Sequence, residues 1–282
     1  MRLKKTEFDL IVSLGGNCST ALQLKHRGLR KFALPLDWTL MEDVKPIELL
    51  PEMLQTGFAR FLRWENAVQA RPPRHTHHTL SHQIRDSYSG WVFTHHFMGN
   101  RFSQEMFEQV RAVMQRRIDR FYEKASKAGS VLFILETAFA YEDGLVQNLF
   151  HALQGVWPSK DIYLVVMEFS APEQGEQWLH DGHLVIAKYQ RPHNIVYDNQ
   201  FTSHEWHWMD SLRISGLKTA DEKRRTERPI KWIFKVWRSV GKWLEEKGAG
   251  VIAVRFRDYR FYTLREELAA EEALRSNDGD CT

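Results

Sequence analysis

Apolar residues in this chain follow two patterns in turn. Short continuous runs at 8–14, 131–135, 162–167 and 184–187 are bounded by charged, polar or glycine residues. Runs of that length and branched-aliphatic content predict strands buried on both faces. Between them the apolar positions adopt helical spacing. Over 103–127, Met106, Val110, Val113, Met114, Ile118 and Phe121 form one stripe, with Ser103 placed to cap and Gly129 to stop it. Shorter helices are predicted over 19–27, with Gly28 as its C-cap, over 142–154, and within 35–51 after a loop. Residues 91–97 read as an extended segment. Residues 65–90, rich in Pro, His and Ser and without a period, read as a long surface loop.

Strand and helix in alternation predict an α/β fold: three layers, a mainly parallel sheet flanked by helices, over residues 1–217. The charged stretch 218–230 then separates a helical and strand appendage that completes 218–282. Within it, 231–246 sorts Ile233, Val236, Trp237, Val240 and Leu244 onto one face and Lys231, Lys235, Arg238 and Lys242 onto the other. Such a helix suits peripheral contact with the inner membrane surface, or packing on the domain with a basic face to solvent. A return strand at 251–256 favours packing.

Composition narrows the setting. An apolar fraction of 43% supports a sizeable core. The two cysteines, Cys18 and Cys281, do not make a disulfide framework and point to a reducing compartment. The basic N-terminus followed by 8–14 resembles a signal peptide, but Asp9 interrupts that short run. No apolar stretch nears the roughly 20 residues that span a bilayer. A cytoplasmic location is expected. The net charge of +3 gives no argument for a nucleic-acid partner.

The chemistry concentrates at Ser13-Leu-Gly-Gly-Asn-Cys18, where Gly15 and Gly16 separate a strand from a helix that starts near Cys18. A helix N-terminus offers free N–H groups and about half a positive charge, which stabilise a thiolate and can hold an oxyanion. Cys18 is therefore expected to be a nucleophile of lowered pKa, with Gly16, Asn17 and Cys18 near the oxyanion and both glycines letting substrate approach. The same position suits a small buried thiol in a tight turn. The Gly-Gly-Asn turn could also hold an anionic or nucleotide-like ligand, although neither the P-loop nor the Gly-x-Gly-x-x-Gly pattern is complete. Of thirteen histidines, His95 and His96 end the apolar segment 91–97 and are placed to serve a thiol. His75, His77, His78 and His82 lack cysteine or glutamate at zinc-ligand spacing. Neither metal nor cofactor is expected.

Several motifs in register resemble the papain-like cysteine peptidases filed as a bacterial domain of unknown function. They are Ser13-Leu-Gly-Gly-Asn-Cys18, Leu29-Arg30 with Pro35-Leu-Asp-Trp38, Asp86-Ser-Tyr-Ser-Gly-Trp-Val-Phe-Thr-His95, and Arg116-Arg117-Ile-Asp-Arg-Phe121 leading to Val131-Leu-Phe-Ile. The resemblance implies Cys18 as nucleophile, His95 as base, and Asp37 or Asp86 to orient the imidazole. Gly15, Gly16, Asn17, Trp38 and His96 are the candidates for the substrate and oxyanion side. Leu36 and His96 stand where the family tends to have Phe and Asp. The strand–elbow–helix order differs from papain, whose cysteine helix is not fed by a parallel strand. Gly16-Asn17-Cys18 is also similar to the cysteine turn of Cys-His capsule-biosynthesis acyltransferases. Hydrolysis and acyl transfer share a thioester intermediate. The implied partner is an acyl- or amide-bearing substrate, with an acyl carrier among the candidates, while the non-catalytic alternative is a binding module at the Gly-Gly-Asn turn.

Overall fold

The computed structural model describes residues 5–190, apart from 6, 27, 77–78, 140 and 172–174, together with 218–219. The amphipathic segment 231–246 and the return strand at 251–256 lie outside the described residues. Those described fall in the first of two compact units, Met1–Ala220. In chain order its elements are β1 (Glu7–Phe8), β2 (Leu10–Ser13), α1 (Cys18–His26), β3 (Thr39–Leu40), α2 (Lys45–Gln55), β4 (Ala67–Thr76), β5 (Thr79–Asp86), β6 (Val92–Met98), α3 (Gln104–Lys127), β7 (Ser130–Thr137), α4 (Asp143–Val156), β8 (Asp161–Ala171), β9 (Gly175–Leu179), β10 (Leu184–Gln190) and β11 (Lys218–Thr219).

The apolar runs become a five-stranded sheet in the order β2-β7-β8-β10-β9. The first four strands are parallel, and β9 closes the edge antiparallel to β10. Every residue of β2 and β7 is buried, as strands covered on both faces require. On one face, Ile11, Leu132, Ile134, Val165 and Val185 cluster with Leu24 of α1 and with Leu29. On the other, Phe133 meets Phe121 of α3 and stacks on Trp157, just beyond α4. This is the expected α/β architecture of a mainly parallel sheet between helices. Local signals hold at the helix ends. The Ser103 hydroxyl accepts from the Met106 N–H at 3.2 Å. Gly28, at φ +73°, closes α1, with its N–H donating to Lys25 and that of Leu29 to Leu24.

Residues 65–90 are not a surface loop. Most of them form the hairpin β4–β5 in a second, antiparallel sheet of order β3-β6-β5-β4. Two features hid it. Pro72 and Pro73 break the strand pattern, yet β4 is an edge strand, where a missing N–H costs no ladder bond. The register with β5 slips between Gln69, Arg71 and Arg74, around those prolines. The inner strand β5 is polar but buried: the Ser81 hydroxyl donates to Thr94 O at 2.6 Å, and His82 Nε2 lies 3.1 Å from Gly99 O. Among the described residues no helix is long and apolar enough to cross a membrane.

Helix α3 joins the two sheets. Phe107 near its start stacks on Phe97 of β6, and Phe121 further along packs edge-on against Phe133 of β7. Phe121 also touches Phe58, Tyr122 and Trp157. Phe121→Ala should therefore cost about 3–5 kcal/mol, the usual range for a buried aromatic. Urea unfolding followed by circular dichroism measures it; a loss below about 1 kcal/mol, within the range of volume-conserving core swaps, would mean that this contact does not hold the sheets together.

Candidate active site

The turn that presents Cys18 is built by close packing of backbone. Leu14 N–H donates to Ile134 O at 2.7 Å, extending the β2–β7 ladder. The chain then crosses the end of β7 through Gly15 and Gly16, at φ +81° and +96°. A Cβ at residue 16 would stand 1.6 Å from the Glu136 carbonyl oxygen, and one at residue 15 would stand 2.7 Å from that of Leu36. The contacts that require both glycines are therefore with neighbouring chain segments. Gly15 O accepts from Glu136 N and Gly16 O from Met41 N, at 3.3 and 3.2 Å. Cys18 follows as the first residue of α1, at the carboxyl edge of the parallel sheet, where open α/β sheets bind ligands.

His95 arrives from the other sheet. On β6, Phe93 pairs with Ile84 and Phe97 with His82, so Thr94, His95 and His96 stand opposite the single residue Gln83 of β5. Such a bulge re-aims side chains. His95 Nε2 lies 3.8 Å from Cys18 Sγ. His96 is buried against α3 instead, with Nε2 3.3 Å from Arg117 Nη1.

The electrostatics differ from the helix-end expectation. Burial pushes the Cys18 thiol up to about 11, outweighing the lowering by its own backbone N–H, and the Glu136 carboxylate adds to the rise. The reason is desolvation: a thiolate there would lose more in hydration than the helix end returns. Burial lowers His95, and drives His96 well down with help from Arg117 and His95. At neutral pH the site thus pairs a neutral thiol with a neutral imidazole.

Glu136 is the group that sequence reasoning missed. The residue is buried, 7% exposed, and its carboxylate accepts from Asn17 Nδ2 at 3.3 Å and from the Thr20 hydroxyl at 2.9 Å. The available signal was a charged residue directly ending the apolar run 131–135. The two candidate aspartates have separate surroundings. Asp37 Oδ2 accepts from Leu34 N–H and forms an ion pair with Arg30 Nε, both at 2.8 Å, closing the turn that carries Trp38. Trp38 meets the His95 ring edge-to-face, centroids 6.3 Å apart. Asp86, the last residue of β5, is buried at the turn into β6, accepting from the Ser89 hydroxyl at 2.5 Å and from Leu62 N–H at 3.4 Å, and burial raises its carboxyl. Among the described residues, no group of three or more His, Cys, Asp or Glu is arranged to hold a metal.

Comparison with known proteins bears on this geometry. The family model described as "Putative papain-like cysteine peptidase" matches residues 9–167, a span that includes Cys18, Asp37, Asp86, His95 and Glu136. The chain is also 29% identical over 139 residues to the uncharacterized protein R408 of Acanthamoeba polyphaga mimivirus, across 44% of this chain and 60% of that protein. No solved structure matches the chain.

The electrostatics carry a direct prediction. In a Cys281→Ser background, the alkylation rate of Cys18 by iodoacetamide should keep rising with pH beyond the free-thiol value, towards about 11. Glu136→Gln should move that midpoint down, because it removes the anion that raises it. A rate that levels off below about pH 7, as for thiols of lowered pKa, would show that a thiolate–imidazolium pair is already formed.

Proposed function

The chain belongs to the papain-like cysteine peptidase family, and from that membership we propose that it hydrolyses an acyl or amide bond through Cys18 and His95. The observation that carries this reading is the 3.8 Å approach of Sγ to Nε2 between side chains 77 residues apart, one on a helix beside the parallel sheet and one on the antiparallel sheet. A thiol of raised pKa needs a base at the moment of attack. A neutral imidazole at that distance suits the task.

In the proposed reaction His95 Nε2 takes the thiol proton as sulfur bonds to the carbonyl carbon. The carbonyl π electrons move onto oxygen, where N–H groups at the start of α1 would receive the charge. The Asn17 amide donates one N–H to Glu136 and carries a second. When the carbonyl re-forms, the carbon–nitrogen or carbon–oxygen bond breaks and the leaving group takes the proton from Nε2. An acyl-thioester on Cys18 remains. Water, deprotonated by His95, then attacks the thioester and releases the acid, and the thiol is restored. Another acceptor in place of water would make the same intermediate a step of acyl transfer.

The test uses p-nitrophenyl acetate with mass spectrometry of the protein. Wild type should release p-nitrophenol while an acetyl group accumulates on Cys18, and Cys18→Ala should carry none at that position. His95→Gln should slow acylation by about 10²–10⁴-fold, the usual worth of a general base. Because burial lowers His95, its neutral form persists into more acidic solution, so the acid limb of the acylation rate should lie below pH 6.5. Acylation undiminished in His95→Gln would remove the Cys–His pair as the catalytic unit.

A further inference from the structure

Helix α1 contributes to the site from both ends. Cys18 is its first residue. At the other end the Gly28 cap turns the chain back, and the N–H groups of Leu29 and Arg30 both donate to Leu24 O, at 2.9 and 3.0 Å. Arg30 is then held on two sides. Its Nε donates to Phe32 O at 3.3 Å and pairs at 2.8 Å with Asp37, with side-chain exposures of 8% for Arg30 and 0% for Asp37. Its guanidinium carbon stands 5.2 Å from the centroid of the Trp38 ring. That ring in turn meets His95 at an interplanar angle of 86°. Asp37, Arg30, Trp38, His95 and Cys18 therefore form one continuous series of contacts.

We propose that Arg30 is a positioning residue for His95: anchored by Asp37, it holds Trp38 in the orientation that keeps the imidazole directed at Cys18. The inference rests on the reading of His95 as the base. Two physical points support it. His95 sits in the bulge of β6, where the ladder to β5 is interrupted between Phe93 and Phe97. Its ring orientation there depends on side-chain neighbours more than on strand pairing. Arginine also fits this place as lysine does not. A planar guanidinium can bond a carboxylate through its edge while its face lies against an indole, whereas an ammonium is a point charge without a stacking face.

The experiment is a double-mutant cycle on Cys18 acylation by p-nitrophenyl acetate in the full chain. Arg30→Lys keeps a cation for the buried Asp37, so the carboxylate is not left alone. Alone, it should slow acylation by about 10- to 100-fold, the scale of a small misplacement of a catalytic group. In the His95→Gln background it should have no further effect. Equal slowing in both backgrounds, or no slowing in either, overturns the positioning role and leaves the Cys–His reading standing. If His95→Gln alone changes nothing, the base reading falls and this inference falls with it. Trp38→Phe, which leaves the Arg30–Asp37 pair untouched, takes the place of Arg30→Lys in the same cycle should the latter fail to fold by circular dichroism.

Discussion

Where residue 16 crosses the end of β7, an added Cβ would stand 1.6 Å from the Glu136 carbonyl oxygen. Only glycine allows that crossing, and its positive φ is equally one that glycine tolerates best. The approach determines much of the site. It brings the first turn of α1 over the sheet edge, so that Asn17 and Thr20 reach the Glu136 carboxylate and Cys18 follows between them. Main chain and side chain of one strand-end residue thus shape the turn, and the same residue adds a negative charge beside the thiol.

That arrangement makes two influences on Cys18 compete. A helix start favours a thiolate, while burial and a neighbouring carboxylate favour the thiol. Here the second pair prevails. Hydration of a compact anion is a large free energy, and one helix end replaces only part of it. In the proposed reaction a thiol held protonated would depend on a base, so the histidine position matters correspondingly. In this fold that position is set by a bulged strand of a different sheet and by the α3 aromatics that fasten the two sheets.

The architecture qualifies what the family's description implies. The cysteine helix is fed by a strand of a parallel sheet, and the histidine lies on an antiparallel sheet of four strands. The matched residues 9–167 take in the whole antiparallel sheet together with β2, β7 and most of β8. Both sources of the Cys18–His95 pair therefore lie within the family's span.

Elements with strong local signals were legible in the sequence. The apolar runs at 131–135 and 162–167, the stripe and Ser103 cap of α3, and Gly28 after α1 each depend on interactions within a few residues or on burial of both faces. Cys18 could be named because it borders such an element, whereas 91–97 offered His95 and His96 alike and only the family resemblance singled out His95. The polar hairpin β4–β5 was not legible, because its strands are sustained by buried cross-strand hydrogen bonds and by the edge position that tolerates Pro72 and Pro73. Glu136, the aim of His95, the diversion of His96 to Arg117 and the raised thiol pKa share one reason for being hidden. Each arises between residues far apart in the chain, and periodicity carries information only about neighbours along it. Desolvation at Cys18 is a property of all the atoms that surround the sulfur, so only the packed tertiary structure decides its sign.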